Sequence, residues 1–350
     1  MKIPRLDEKL HNLSLPQLKV ENEIDFKSGD ILVVSAGFED RTKKVLEQIV
    51  EREVKDILVV VILYKPLVTE NKSNELLELC KKGGLDTIEF SYDREHPEGA
   101  GVDIFNHMSN QTGNLWIDIS GMSRLLIIQV INKIKEHKTD FSSIKILYSE
   151  AEEYPPSKDE VSKALKERVE GHSDMVMFLS SGVFDVSILP ELSSIALQGQ
   201  PIRMVAFPTF SYDQFLALRS IIQPSYSTII NGHPPSEDNY WRLDAIRNLN
   251  EIDKIVHKEE YTVSTLDYRE TYKLMTEIYA KYGTMEKLVI APTGSKMQTV
   301  GLALVRTHLN DIQIVYPTPK SFVNPGAYTK GVKAVYSLDL SDFPCRGDFL

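Results

Sequence analysis

Residues 288–300 read LVIAPTGSKMQTV and residues 116–126 read WIDISGMSRLL, and the two stretches share one plan. Each opens as a short run rich in large apolar residues, breaks at a small-residue turn containing glycine, and continues with apolar residues at helical spacing. A buried strand, a tight loop and a helix form the repeating unit of a parallel sheet covered by helices. In such sheets ligands sit beyond the carboxyl ends of the strands, where helix N-termini present N–H groups that attract anions.

The same pattern extends in both directions from these stretches. In the first half, 31–35, 57–64, 87–92, 115–119 and 144–149 are short β-branched or aromatic runs, with helical spacing over 40–52, 73–82 and 123–136. The second half repeats the order with strands predicted at 202–206, 226–230, 261–265, 287–291 and 312–316, and helices near 212–222, 240–251, 268–281 and 297–308. Residue likeness accompanies the order. ILVVSAGFEDR (31–41) lies against IRMVAFPTFSYD (202–213), and IKILYSEAEEYPP (144–156) against IQIVYPTPKSFVNP (312–325). Ile31 against Ile202, Trp116 against Leu288 and Ile144 against Ile312 keep nearly constant separations, which points to duplication with drift.

The expected fold is therefore α/β, with two tandem Rossmann-like units whose sheets are mainly parallel. Each half adds an extra apolar run after its fifth strand, 174–186 and 331–343, read as a C-terminal strand or hairpin of its own unit. The units are predicted to span 28–186 and 200–344, joined at 186–201, where Pro190, Gly199 and Pro201 punctuate the pattern. Residues 157–172, rich in acidic and basic residues, read as a solvated helix.

With 350 residues the chain has room for two domains, which commonly run about 100–150 residues each. A hydrophobic share of 42% places it among globular chains rather than disordered ones. The two cysteines, Cys80 and Cys345, stand in no metal-binding array and read as plain thiols, so neither a metal site nor a disulfide framework is expected. A net charge of −10 argues against coating duplex DNA, which needs a basic face, but leaves room for a local basic pocket. Neither a membrane-spanning run nor a signal-peptide core appears, so a cytoplasmic location is expected. GxGxxG, GxxxxGK[ST], HExxH and GxSxG are all missing, which removes support for a dinucleotide cofactor, P-loop, zincin or α/β-hydrolase chemistry.

Chemistry is then expected in the loops after strands one and four. In the second half, Thr293, Gly294, Ser295 and Lys296 combine a tight turn, a helix-capping hydroxyl and a cation, the elements of a phosphate cradle. Ser120, Gly121, Ser123 and Arg124 keep the same residue types at the matching place in the first half, and the strand-one loop adds Gly37 and Arg41. An ordinary helix start after a strand reads the same way, so both readings stay open for each loop. Glu150, Glu152, Glu153 and Tyr154, the turn residue His233, and Trp116 and Trp241 are weaker candidates, better read as solvated loop, turn and core.

The stretch PTGSKMQTVGLAL at 292–304, and more faintly ISGMSRLL at 119–126, resembles the strand-four motif of CARF domains, the CRISPR-associated Rossmann-fold sensors. In that family two such domains pair about a two-fold axis and bind cyclic oligoadenylates or related cyclic nucleotides. Two fused copies in one chain are similar in this respect to SAVED-type sensors. The resemblance implies a small nucleotide ligand, a role in prokaryotic antiviral defence and binding through the loop residues just named. No helix-turn-helix, HEPN-type or PD-(D/E)xK-like segment follows the second copy, so the resemblance further implies a separate effector protein. The alternatives are a chain that cleaves the messenger as ring nucleases do, or an interaction scaffold with no small ligand.

Overall fold

A computed structural model describes residues 6–170, 178–325, 328–344 and 349. Residues 174–177 of the first extra run, 171–172 of the expected solvated helix and Cys345 lie outside the described residues. In chain order the elements are α1 (Leu6–His11), β1 (Lys19–Glu21), β2 (Ile31–Ser35), α2 (Lys44–Glu51), β3 (Leu58–Lys65), α3 (Ser73–Gly83), β4 (Asp86–Asp93), α4 (Ala100–Asn106), β5 (Asn114–Asp118), α5 (Arg124–His137) and β6 (Ser143–Glu150). They continue as α6 (Lys158–Val169), β7 (Ser180–Ser187), β8 (Ile202–Ala206), α7 (Tyr212–Ile222), β9 (Tyr226–His233), α8 (Trp241–Leu249), β10 (Lys258–Ser264), α9 (Tyr268–Tyr282), β11 (Lys287–Ala291), α10 (Lys296–His308), β12 (Gln313–Ile314), β13 (Tyr316–Phe322) and β14 (Ala334–Asp339).

The chain is α/β and forms two units, residues 15–155 with 324–345, and 1–14 with 156–323 and 346–350. In the unit that begins at residue 15, five parallel strands run β4-β3-β2-β5-β6 across the sheet. The other unit runs β10-β9-β8-β11-β12, again all parallel. Counting each set of five strands in chain order, both sheets read 3-2-1-4-5, the Rossmann order. β5 and β11 therefore hold the same place in their sheets, as duplication requires.

Sequence period explains the layers. β2 (ILVVS) is buried at every position, because helices cover both faces of its sheet. Leu32, Val34, Val59 and Val61 meet Val45, Leu46 and Ile49 of α2 on one face. In the second sheet Met204, Ala206, Ile229 and Val289 meet Phe215 and Leu218 of α7. Every residue of α10 from Met297 to His308 is buried, the polar Gln298, Thr299, Arg306, Thr307 and His308 among them.

The extra C-terminal strands exist but change places relative to the expectation. β14, from the end of the chain, inserts antiparallel between β6 and β1 of the first sheet, pairing Ala334 with Glu150 and Asp339 with Lys145. β7, which follows the first half, pairs instead with β13 in a two-stranded ribbon of the second unit. Because of this exchange the unit boundary falls at 155–156 rather than at 186–201, and the spans 28–186 and 200–344 are replaced by the interleaved ones. Burial accounts for it. α6 is not a fully solvated helix, since Val161 packs with Phe210, Ala245 and Leu249 of the second unit's core and Leu165 packs against that cluster. Val335 joins the core formed around β2, Trp116 and Leu147. The predicted strand 312–316 also divides: β12 keeps two residues, and β13 leaves the parallel sheet with Pro317 and Pro319 beside a register shift, a placement suited to a residue without an N–H.

Each unit holds one tryptophan, Trp116 in the first and Trp241 in the second. Leu338→Ala removes a fully buried side chain of β14 and should destabilise the first unit by about 2–5 kcal/mol. In a Trp241→Phe background, denaturant unfolding followed by Trp116 fluorescence should show that loss; an unmoved Trp116 transition would contradict the exchanged strand.

Candidate functional site

In both sheets the strand order reverses direction between the first and fourth strands, β2 and β5 in one unit, β8 and β11 in the other. The loops that leave these strands face the crevice where α/β proteins bind ligands. All ten residues singled out from the sequence lie in those loops or in the first turn that follows them.

In the first unit the two loops touch glycine to glycine. A Cβ on Gly37 would stand 3.1 Å from the Cα of Gly121, and a Cβ on Gly121 only 2.1 Å from the Ser35 carbonyl oxygen. No side chain fits at Gly121, so its glycine is explained by the contact between the loops. Ser120 is fully buried: its N–H donates to Asp118 Oδ1 at 2.8 Å, and its Oγ accepts from the Ser149 N–H at 2.8 Å, tying the loop to β6. Ser123 caps α5 by accepting from the Leu126 N–H at 3.2 Å, and Arg124 begins the helix.

The second unit builds the equivalent turn differently. Thr293 donates its hydroxyl to the Phe207 carbonyl at 2.6 Å. Ser295 donates to the Thr265 carbonyl at 2.6 Å and accepts from the Gln298 N–H at 3.0 Å, so its hydroxyl is engaged in both roles. The Gln298 side chain accepts the Ser295 N–H at 2.8 Å, completing a capping box. Gly294 leaves room for this side chain, since a Cβ there would lie 2.4 Å from Gln298 Oε1. Lys296, half-buried, is the first residue of α10.

The N–H of the helix-capping serine is satisfied in both units, by different partners. In the first, the Ser123 N–H donates to the Tyr64 hydroxyl at 2.6 Å, and that hydroxyl donates to the Gly121 carbonyl at 3.2 Å. In the second, Gln298 takes the part of Tyr64. The capping-box spacing of Ser295 and Gln298 carried a readable signal for this; Tyr64, distant in sequence from Ser123, carried none.

Arg41 does not face the crevice as a free cation. It is 3% exposed, pairs through Nε with Glu39, and donates through Nη1 to the Tyr148 hydroxyl at 3.0 Å and the Ser149 carbonyl at 2.8 Å. Its guanidinium also lies over the rings of Tyr148 and Tyr154, at 5.3 and 5.7 Å from their centroids. Burial works against its charge, but Glu39 and the two tyrosines outweigh burial and hold Arg41 above its ordinary range. Burial and Tyr148 push the Tyr154 phenol well up. Arg41 is thus committed to the seam between the strand-one loop and β6, which corrects its reading as a ligand contact.

The weaker candidates resolve locally. Glu150 accepts from the Tyr336 hydroxyl at 2.9 Å and lies 3.4 Å from Lys333, while Glu153 faces Lys330. Glu152 lies against Gly331. His233 ends β9 with its ring 4.5 Å from that of Tyr240. Trp116 donates Nε1 to buried Asp30 at 2.8 Å, and Trp241 packs beside Phe210. Among the described residues, no group of three His, Cys, Asp or Glu side chains is placed to hold a metal ion, and no helix is long and apolar enough to cross a membrane.

No family model matches the chain, and no curated protein matches it. Among solved structures it is similar to the cytoplasmic domain of a prokaryotic cation chloride cotransporter, with 9% identity over 86% of this chain and 99% of that one, at a TM-score of 0.26. A functionally unknown protein from Pseudomonas aeruginosa is similar at 9% identity, 83% and 92% coverage and a TM-score of 0.24. A protein from the same species described as a universal stress protein follows at 8% identity, 83% and 94% coverage and a TM-score of 0.22. Similarity of this extent carries no argument about function.

Two substitutions test these assignments. Arg41→Met leaves the half-buried Glu39 without its guanidinium and should destabilise by about 3 kcal/mol, most of it recovered in the Glu39→Gln/Arg41→Met double variant; chemical denaturation measures both. Ser295→Ala should lower stability by about 0.5–2 kcal/mol through the lost cap, read as a shift in the Trp241 unfolding midpoint.

Proposed function

We propose that the chain is an intracellular nucleotide-binding sensor whose ligand is a cyclic oligonucleotide, and that it acts with a separate effector protein in prokaryotic antiviral defence. The observation that carries this reading is the recurrence of one arrangement at the switch point of both sheets. A serine caps the helix after the fourth strand, and a cation, Arg124 or Lys296, occupies the first helical position. The helices are 14 and 13 residues long, so each brings the partial positive charge of a full N-terminus to the crevice. A cation at that end adds a charge-assisted contact for a phosphate. The resemblance of 292–304 to the strand-four motif of CARF domains supports the cyclic-oligonucleotide part of the reading.

The hydroxyls of Thr293 and Ser295 hold the turn together, so they shape the site while Lys296 and the helix N-terminus supply the attraction. In the first unit Ser120, Gly121 and Gly37 likewise shape the turn that presents Arg124.

Lys296→Ala and Arg124→Ala should each weaken binding of a phosphate-bearing ligand by roughly ten- to a hundredfold, equivalent to about 1.5–3 kcal/mol, with the fold intact. Calorimetric titration with cyclic di-, tri-, tetra- and hexanucleotides measures this. No binding by the wild type to any member would overturn the sensor reading. Linear products after incubation would convert it into a processing enzyme.

A further inference from the structure

Among the described residues three arginines are buried, Arg41, Arg203 and Arg306. Two of them show what this chain supplies to a guanidinium that it takes out of water. Arg41 has Glu39, the Tyr148 hydroxyl and the Ser149 carbonyl. Arg203 meets Glu286 through Nε at 2.6 Å and Nη2 at 3.3 Å, donates through Nη1 to the Thr228 hydroxyl at 3.1 Å, and lies 3.5 Å from the centroid of the Tyr282 ring. Each has an acid, a further acceptor and an aromatic face, as the cost of burying a charge demands.

Arg306, in the last turn of α10, is 4% exposed and has none of these. No described residue accepts a hydrogen bond from it or forms an ion pair with it. Asp311 is the acid that acts on it, from beyond ion-pair distance, and accepts instead from the Tyr279 hydroxyl at 2.5 Å. Burial outweighs Asp311 and holds the Arg306 guanidinium below its ordinary range, the opposite of Arg41. The C-terminal end of α10 adds a partial negative charge, but that effect is small beside the desolvation of an unpaired ion. A guanidinium does not escape by losing its proton, so a buried one without an acceptor calls for an anion. Solvent still has a way in. Nε is sealed, whereas Nη1 and Nη2, equally without acceptors, are not, so the narrow opening lies at the charged tip.

We propose that Arg306 is the cation of an anion site at the C-terminal end of α10, taking a small oxyanion whose oxygens accept from Nη1 and Nη2. Phosphate, sulfate and carboxylate share that chemistry, and the fork of an arginine matches a pair of their oxygens. The site is separate from the one at the start of the helix: at about 1.5 Å per residue, Arg306 stands about 15 Å along α10 from Lys296. It belongs to the second unit and does not rest on the nucleotide reading.

The test uses the full chain in Tris hydrochloride, with inorganic phosphate, sulfate and acetate as probes and chloride at matched ionic strength as the control. Phosphate binding is followed by phosphorus NMR line width in the Lys296→Ala/Arg124→Ala variant, which removes the cations at the two helix starts. That variant should still bind phosphate, and adding Arg306→Met should weaken the binding at least about tenfold. Arg306→Lys, which keeps the charge but not the fork, should weaken it about three- to tenfold and keeps the test open if the methionine variant does not fold. The denaturation midpoint of the wild type should rise with at least one probe over chloride, and that of Arg306→Met should not. In chloride alone, Arg306→Met should unfold at or above the wild-type midpoint, because it removes a charge that lacks a partner. Loss of all phosphate binding with Lys296 and Arg124, binding indifferent to Arg306→Met, or a response that chloride reproduces would overturn the site. So would an Arg306→Met midpoint in chloride below that of the wild type, which would give the guanidinium a partner within the chain; Asp311→Asn would then show the same loss.

Discussion

The start of the helix after the fourth strand constrains both units. A helix N-terminus carries N–H groups with no intrahelical partner, and leaving them unpaired where water is partly excluded is expensive. Both capping serines are half-buried, and a side chain reaches the N–H of each. In the first unit a tyrosine on β3 does so, and in the second a glutamine on α10 itself. The glycines follow from that choice. Gly121 lets its loop lie on the Ser35 carbonyl so that the chain arrives beneath Tyr64, and Gly294 vacates the space that the Gln298 side chain takes. The same constraint decides what is left to face a ligand, because hydroxyls engaged in holding the turn are no longer free to do so.

Much of the fold was legible because the central parallel strands are nearly continuous buried runs. Residues 31–35, 202–206 and 287–291 are strands with the predicted bounds, and the other core strands differ mainly at their ends. α4 was missed because its start, Gly99-Ala100-Gly101, reads as a turn. Gly101 is there for packing: a Cβ on it would stand 2.5 Å from the Gln129 carbonyl, so α4 and α5 approach closely only without one. The exchange of β7 and β14 was hidden for a different reason. Each apolar run is equally suited to either sheet by composition, and the choice is made by partners remote in sequence, β6 for β14 and β13 for β7. Local period reports that a segment pairs, not with what.

The candidate site was legible in position and only partly in role. Residue types in the loops marked the carboxyl ends of the right strands, and the capping serines are where the pattern put them. Roles that depend on direction were not readable. Arg41 follows a glycine loop, as a phosphate-binding arginine would, yet it turns back under Tyr148 and Tyr154 to pair with Glu39. Glu39 stands two residues away, so the pairing was available in the sequence, but nothing local says whether such a pair is exposed or sealed. Burial of Arg41 on its own would be costly, and the acid, two aromatic faces and a backbone carbonyl together explain why it is tolerated.

The shared strand order gives the differences between the two units a physical meaning. Both units begin the helix after the fourth strand with a capping serine, and each satisfies that serine's N–H in its own way. The first uses a tyrosine from β3, outside the helix, and Tyr64 cannot be lost without orphaning the Ser123 N–H. The second uses a glutamine from the helix's own first turn, which leaves the buried Nε2 donor over. Room for that side chain is made by glycine: a Cβ on Gly294 would stand 2.4 Å from Gln298 Oε1, and one on Gly232 would stand 3.5 Å from Nε2 and 2.7 Å from the Thr265 methyl. A cap supplied from within the helix therefore constrains the backbone around it, whereas a cap supplied from another strand constrains a distant side chain.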